Sequence, residues 1–221
     1  MTWNPQRRLT LELEQLWLDS SSRVMHEIAE AKLKMTTAFM FGVEARNHRT
    51  RFVEHGARVS ILADWLATNF DVHEEARRDL RAAAQLHEVG MMAIPVELVD
   101  SPTQLNADGV ARIRSQAVVS AEICRNTQSS RTVRLIEEQY TDFDVQQKRS
   151  AEGSLDVLLS GILRVADAFD AVTHPRPYQE HIAPAERLRT MSQGEGTRFH
   201  PLVIEMLFLS GTDRAVGHRS V

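Results

Sequence analysis

Three positions in this 221-residue chain place metal-ligating side chains on helical faces that are otherwise apolar. His55 shares a predicted helical face with Val59, and His87 comes directly before Glu88 at a predicted helix end. Asp167 interrupts a strongly apolar stretch, where a buried carboxylate needs a compensating partner. Imidazole and carboxylate groups from separate helices of a bundle suit a divalent transition metal, so this spacing is consistent with a metal site.

Each of these residues also has an ordinary structural interpretation. A single histidine on an apolar face is typical of a core residue whose ring nitrogens are hydrogen-bonded within the protein. Asp167 could equally cap a helix or pair with Arg164 or Arg176. The single cysteine, Cys124, has no neighbour that would lower the pKa of its thiol, so we expect a small buried apolar residue and not a nucleophile.

Apolar residues recur at three- and four-residue steps almost throughout the chain, which predicts an all-α fold. Asp71 is expected to cap a helix, and Gly90 to end that helix with a positive φ. The polar segment 141–154 is expected to be a long loop, of a kind that is often functional. The predicted helices cover approximately residues 53–69, 74–89, 107–125, 131–140, 155–173, 184–191 and 199–209.

The pattern divides the chain into three parts. Residues 1–43 are expected to form an N-terminal extension of two helices, which either packs internally or offers a surface to a protein partner or a second copy in a homodimer. Residues 44–210 are expected to form the main helical domain, and residues 211–221 a flexible tail.

Composition excludes several classes of protein. With 43% hydrophobic and 25% charged residues the chain has the mixture of a globular protein, and its net charge of −4 argues against binding a nucleic-acid polymer. The sequence has no run of about 18 apolar residues that would span a membrane. The N-terminus lacks the apolar run of a signal peptide, and a single cysteine excludes an internal disulfide framework. These features predict a cytoplasmic protein.

Two longer motifs carry a family resemblance. The string LHEVG at 86–90, followed by Ile94 and Pro95, resembles a signature of the HD-domain phosphohydrolases. The string ILRVADAFDAVTHPRPY at 162–178 is similar to the C-terminal signature of their HD-GYP subfamily, the bacterial cyclic di-GMP phosphodiesterases. Shorter matches follow the family order: HGARVS at 55–60, AVVSAEIC at 117–124 and FHP at 199–201.

The resemblance implies an HD-domain-like helical bundle that holds two or three iron or manganese ions and acts on an anionic dinucleotide. Carried over position by position, it assigns His55, His87, Glu88 and Asp167 to the metal ligands, with glutamate in place of the usual aspartate at position 88. It also assigns Arg176 to a phosphate of the ligand.

Several family positions differ in this chain. Gln116 stands where the family has a histidine, and Arg51 where members with three metals have a glutamate. The segment IEEQYTDFD at 136–144 lacks the family's histidine pair, and Met91 and Gln179 replace lysines. We therefore expect at most one divalent iron or manganese ion and no bridged pair of metals.

These differences favour a degenerate HD-GYP protein of cyclic di-GMP-related signalling, with lost or impaired phosphodiesterase activity. Such a protein would act through a protein partner or by sensing a nucleotide such as cyclic di-GMP. The alternative is a metal-dependent cyclic di-GMP phosphodiesterase with a reduced site, because ligands for one ion remain.

Overall fold

The computed structural model describes residues 51–101, 103–150, 154–174 and 184–216. Within these ranges every regular element is a helix, and an isolated bridge between Glu195 and Phe199 is the one β-type contact. The predicted all-α fold class is confirmed. The helices are α1 (Arg51–Asn69), α2 (Glu74–Leu86), α3 (Val96–Val99), α4 (Ala107–Arg114), α5 (Gln116–Cys124), α6 (Ser130–Glu137), α7 (Phe143–Arg149), α8 (Leu155–Thr173), α9 (Pro184–Gln193) and α10 (Pro201–Val216), with a 3₁₀ turn at Val89–Ala93.

Helix α8 occupies the centre of the bundle because most of its length is apolar or small. Leu159, Ile162, Leu163 and Ala166 are completely or almost completely buried. Helices α1, α2, α6, α7, α9 and α10 all pack against it. The predicted limits of this helix, 155 and 173, are confirmed. No helix in the described ranges has both the length and the apolar character that a bilayer crossing requires.

Helices α1 and α2 pack closely because a glycine lies at their contact. A Cβ atom added at Gly56 would lie 2.8 Å from the carbonyl oxygen of Gln85. Only glycine therefore permits this approach, and it places the neighbouring His55 beside the C-terminal turn of α2.

The turn between α1 and α2 corrects the predicted cap. Asp71 does not cap α2; it adopts a left-handed backbone conformation with φ of 52°, which aspartate tolerates better than most residues. The cap is His73, whose side chain accepts a hydrogen bond from the backbone N–H of Ala76 at 3.3 Å.

The prediction that Gly90 ends a helix at positive φ is wrong. Helix α2 already ends at Leu86, Gly90 lies inside the 3₁₀ turn, and Gly196 is the only described glycine with a positive φ. The reason for glycine is packing, since a Cβ atom at Gly90 would lie 2.3 Å from the backbone oxygen of Gln116. The 3₁₀ turn can therefore lie directly against α5.

The segment 141–154 is not the long loop that the sequence predicts, because α7 forms within it. The backbone N–H groups of Phe143 and Asp144 donate to the carbonyl oxygens of Arg198 and Thr197, and the Phe143 side chain is buried. Tertiary contacts thus stabilise a short helix whose own sequence is mostly polar. Residues 151–153 lie outside the described ranges.

Other helix limits differ modestly from the predictions. The helix predicted for 107–125 is divided at Ser115 into α4 and α5, and α10 extends to Val216 where the sequence predicts an end near 209. The predicted N-terminal extension at 1–43 lies outside the described residues, as do residues 217–221 of the predicted tail.

Candidate metal centre

His55 enters the site from the second turn of α1, and its side chain is largely buried. Its Nε2 atom lies 3.2 Å from Nε2 of His87 and 3.2 Å from Oδ1 of Asp167. It also lies 3.8 Å from Oε2 of Glu88. The expectation that His55 points inward therefore agrees with the structure, and its Nε2 atom is the centre of the cluster.

His87 and Glu88 reach the site from the C-terminal end of α2. His87 is the C-cap of this helix and is 1% exposed, and Glu88 is the N-cap of the 3₁₀ turn. The Nδ1 atom of His87 donates a hydrogen bond to the carbonyl oxygen of Ala84 at 2.8 Å. In the neutral ring this bond leaves the lone pair on Nε2, the atom that faces the site.

Asp167 completes the cluster from α8. Its Oδ1 atom lies 3.6 Å from Nε2 of His87 in addition to the 3.2 Å contact with His55. The side chain is 26% exposed, so the cluster is open on one side. The alternative pairing of Asp167 with Arg164 is not observed: Arg164 donates instead to Asp142 and to the carbonyl oxygens of Gln139 and Arg198.

His55, His87 and Glu88 form a possible site for a divalent cation, and Asp167 lies next to the two histidines. His55, His87 and Glu88 each offer one ligand atom within 4.8 Å of the others. The nitrogen and oxygen atoms around an ion bound at about 2.1 Å are separated by about 3.0–3.4 Å. The separations among His55, His87 and Asp167 and between His55 and Glu88, 3.2–3.8 Å, lie close to that spacing. Asp167 lies outside the three-residue group and would have to move to join Glu88 at one ion. Two imidazoles and two carboxylates are also the donor types that iron and manganese accept.

Electrostatics favour a cation at this place. Burial alone would lower the pKa of His55, but the carboxylates of Glu88, Asp167 and Asp170 raise it to about 10. Burial would likewise raise the pKa of Asp167, but its contacts with His55 and His87 hold that pKa well below its ordinary value. The carboxylates that retain a proton on His55 would favour a divalent cation in exchange for it.

Asp170 and Arg58 belong to this site, and the sequence analysis missed both. The Nδ1 atom of His55 donates to Oδ2 of Asp170 at 2.7 Å. Arg58 donates to both oxygens of the same carboxylate, at 2.7 and 2.9 Å. Spacing could have identified them, because each follows a predicted ligand by three residues, Arg58 after His55 and Asp170 after Asp167.

An amide network lies next to the cluster, against the backbone of His87. Gln116 Nε2 donates to Gln139 Oε1 at 3.2 Å and to the Tyr140 hydroxyl at 3.1 Å, while Gln116 Oε1 accepts from Ser120 at 2.7 Å. Gln139 Nε2 donates to the His87 carbonyl oxygen at 2.9 Å. Gln116 and Gln139 are both buried, and their amide groups hydrogen-bond to protein groups.

The remaining predicted positions lie either in the core or outside the described residues. Met91, where the family resemblance predicts the loss of a cation, is fully buried beside Phe52, Ile94 and Val99. Arg176 and Gln179 lie outside the described residues. Cys124 is completely buried, and burial raises the pKa of its thiol to about 12, as expected for a core residue.

The fold and the site together define a helical-bundle protein with a candidate centre for a divalent metal. A family model described as "HD domain" matches residues 42–203, well over half of the chain. The chain therefore belongs to the HD domain family, and the expected family is confirmed.

Curated relatives in this family are bacterial phosphodiesterases of low identity. The chain is 26% identical to the 3'3'-cGAMP-specific phosphodiesterase 3 of Vibrio cholerae over 194 residues, which cover 83% of this chain and 42% of the relative. It is 26% identical to the cyclic di-GMP phosphodiesterase response regulator RpfG of Xanthomonas campestris over 211 residues, which cover 91% of this chain and 53% of the relative. The chain thus spans about half the length of these relatives.

Proposed function

We propose that this chain is an HD domain of cyclic di-GMP-related signalling that holds one divalent cation and has lost most or all phosphodiesterase activity. His55, His87, Glu88 and Asp167 would hold the ion, which is iron or manganese. A bound cation would supply Lewis-acid polarisation of a phosphoryl oxygen. The domain would act by sensing a nucleotide such as cyclic di-GMP or by binding a protein partner.

The observation that carries this proposal is the amide network of Gln116 and Gln139. Amide side chains are poor ligands for transition metals, and these two are engaged with each other and with Tyr140, Ser120 and the His87 backbone. A second ion beside the first would have to break this buried network. The four-donor cluster needs no such change, so one cation is the stoichiometry that the geometry supports.

Arg164 interacts electrostatically with Arg114 and Arg198, and this group of arginines supports an anionic ligand. Arg164 lies one helical turn before Asp167, and its guanidinium and that of Arg198 lie 5.7 and 5.5 Å from the ring centre of Phe199. Arg114 lies 5.7 Å from the ring centre of Tyr140. Among the residues that the structure describes, neither Arg114 nor Arg198 has a carboxylate within ion-pair distance. Both guanidinium groups could therefore contact a phosphate.

The N-terminal extension at 1–43 is proposed as the surface for a protein partner or a homodimer. The support is its sequence, in which apolar residues such as Leu9, Leu13 and Leu16 recur at helical spacing. Light scattering of the full chain at several concentrations measures whether a homodimer forms.

Metal analysis with a hydrolysis assay tests the proposal. The full chain, purified without chelator, should contain at most one iron or manganese ion per molecule and should not hydrolyse cyclic di-GMP at an appreciable rate. Calorimetry with cyclic di-GMP then separates nucleotide sensing from action through a partner alone. Two or more ions per chain together with hydrolysis of cyclic di-GMP would overturn the proposal.

The alternative is a phosphodiesterase that works with a single ion. It is favoured by the complete donor set, in which both histidines present Nε2 and have a hydrogen-bond partner on Nδ1. Manganese-dependent hydrolysis of cyclic di-GMP by protein with one ion per chain, abolished by His87→Ala, would select this function.

A further inference from the structure

Asp170 is held on three sides within the contact between α1 and α8. It accepts hydrogen bonds from His55 at 2.7 Å and from Nε and a terminal nitrogen of Arg58 at 2.7 and 2.9 Å. Its Oδ1 atom also lies 3.2 Å from Nδ1 of His174. The paired, two-point contact with Arg58 fixes both the position and the plane of the carboxylate.

We propose that Asp170, held by Arg58, is the positioning residue of His55 and sets the affinity of the centre for its cation. This inference rests on the proposed single-cation site. An Nδ1–H bond to a carboxylate leaves the lone pair of neutral His55 on Nε2, the atom that lies within 3.2–3.8 Å of the other three candidate ligands. Without Asp170 the ring could rotate and the other tautomer would compete.

The two helices repeat one arrangement. Each supplies a candidate ligand and, three residues later, a member of the supporting pair: His55 and Arg58 on α1, Asp167 and Asp170 on α8. The side chain of Asp170 is 6% exposed, whereas that of Arg58 is 36% exposed. The support therefore extends from the ligand to the protein surface, where Arg58 can be changed without creating a cavity in the core.

His87 provides an internal contrast. Its Nδ1 partner is the backbone carbonyl of Ala84, which no side-chain substitution removes. Because the partner of His55 is a charged carboxylate, His55 is the ligand whose orientation and basicity depend on side chains.

Two substitutions that remove charges of opposite sign distinguish a positioning role from a purely electrostatic effect. Asp170→Asn removes a negative charge, and Arg58→Met removes a positive charge next to the site. If only charge mattered, Mn²⁺ would bind more weakly to the first variant and more tightly to the second. If Asp170 and Arg58 position His55, both variants should bind Mn²⁺ about 10- to 100-fold more weakly than the wild type.

The chain offers a matched control pair across the contact between α1 and α2. Arg77 donates to both oxygens of Asp64 at 3.0 and 2.9 Å, but neither residue contacts a candidate ligand. Asp64 lies about 14 Å along α1 from His55. Asp64→Asn and Arg77→Met should therefore leave the Kd for Mn²⁺ within about twofold of the wild-type value.

The measurement is a titration of each full-length variant with Mn²⁺, and with Co²⁺ followed by visible absorption. The visible absorption bands of bound Co²⁺ should change in Asp170→Asn and not in Asp64→Asn. A loss of stability alone would not produce this difference between the two variants. Arg58→Lys keeps the charge but not the two-point contact, so it should show an intermediate loss of Mn²⁺ affinity. This variant replaces Arg58→Met in the test if Arg58→Met does not fold. Wild-type affinity in both Asp170→Asn and Arg58→Lys, or tighter binding in Arg58→Met, would refute the inference. Absence of binding by the wild type would refute the proposed single-cation site itself.

Discussion

The close packing of the 3₁₀ turn on α5 predicts a large effect of one methyl group. In Gly90→Ala the new Cβ atom would lie 2.3 Å from the Gln116 oxygen and 2.8 Å from the Ser120 nitrogen. Ordinary contacts begin at 3.4 Å, so the backbone segments must separate by about 1 Å or more. Both neighbours are backbone atoms and cannot rotate away.

The magnitude follows from two opposing effects. Overpacking of this kind costs about 3 kcal/mol, at the upper end of its usual range, because no side chain can yield. The lower entropy of the unfolded alanine chain offsets about 0.5–1 kcal/mol of this. We expect a net loss of about 2 kcal/mol, which lowers Tm by about 4–8 °C for a domain of this size.

The same change should weaken metal binding, because Glu88 precedes Gly90 by two residues and is the N-cap of the turn that must move. Metal–ligand distances tolerate shifts of only about 0.2 Å. Thermal unfolding and Mn²⁺ titration measure the two effects. Gly196→Ala is the control: it has a positive φ of 73° but open space around its Cβ position, so it should lose about 1 kcal/mol and keep its Mn²⁺ affinity. A Gly90→Ala protein with wild-type Tm and wild-type Mn²⁺ affinity would refute the packing argument.

Three further predictions concern the cation, the charge network between α1 and α2, and the anchor of α7. Mn²⁺ at 100 times its Kd should stabilise the wild type by about 2.7 kcal/mol, which raises Tm by about 5–11 °C. In thermal unfolding, Mn²⁺ should not raise the Tm of His87→Ala and should raise that of the control His73→Ala as in the wild type. Equal rises in Tm in all three proteins would contradict the assigned ligands. Burial would raise the pKa of Asp64, but Arg77 and Arg81 lower it. The stability that the ionised Asp64 contributes is therefore complete above the ordinary carboxyl pKa and is lost as the pH falls through the lowered value. Asp64→Asn should therefore be less stable by about 1 kcal/mol at pH 7, with a smaller difference in urea unfolding below about pH 4; a difference independent of pH would show that the ion pairs are not its source. Arg164→Met leaves the buried carbonyl oxygen of Gln139 without its side-chain donor and that of Arg198 with only the backbone N–H of Phe143, and it should lower the free energy of unfolding by about 2–4 kcal/mol. Arg134→Met, which removes an exposed ion pair with Asp156, should change that free energy by less than about 0.5 kcal/mol.

The local sequence pattern was sufficient to predict the helices that are apolar along their length. Helix α8 has buried residues on nearly every face, so its apolar sequence and the prolines at 175 and 177 were sufficient to predict its limits at 155 and 173. His55 and His87 were placed inward by their spacing from apolar neighbours, and the structure brings both together with Glu88 and Asp167. In each case the signal lies within one helix.

The features that sequence analysis missed depend on contacts between distant segments. Helix α7 is mostly polar and begins where its backbone bonds to residues 197 and 198, which no local periodicity reveals. Gly90 has the residue type of a helix end, but its role is set by α5, which approaches from 26 or more residues away in the chain. Local rules assign such glycines a backbone conformation when packing is the actual cause.

The site is built from helical spacing, and this explains why its parts are sensitive to the core. One residue along an α-helix rotates a side chain by about 100°. Asp167 and Asp170 therefore face α1 only while Leu163 and Ala166, on the same helix, remain fixed in the core. Gly56 holds α1 against α2 at the level of His55, and Gly90 holds the 3₁₀ turn against α5 just after Glu88. The positions of the four candidate ligands are thus determined by packing at two glycines and along α8, and a core substitution far from the centre should change metal affinity whenever it shifts one of these helices against another.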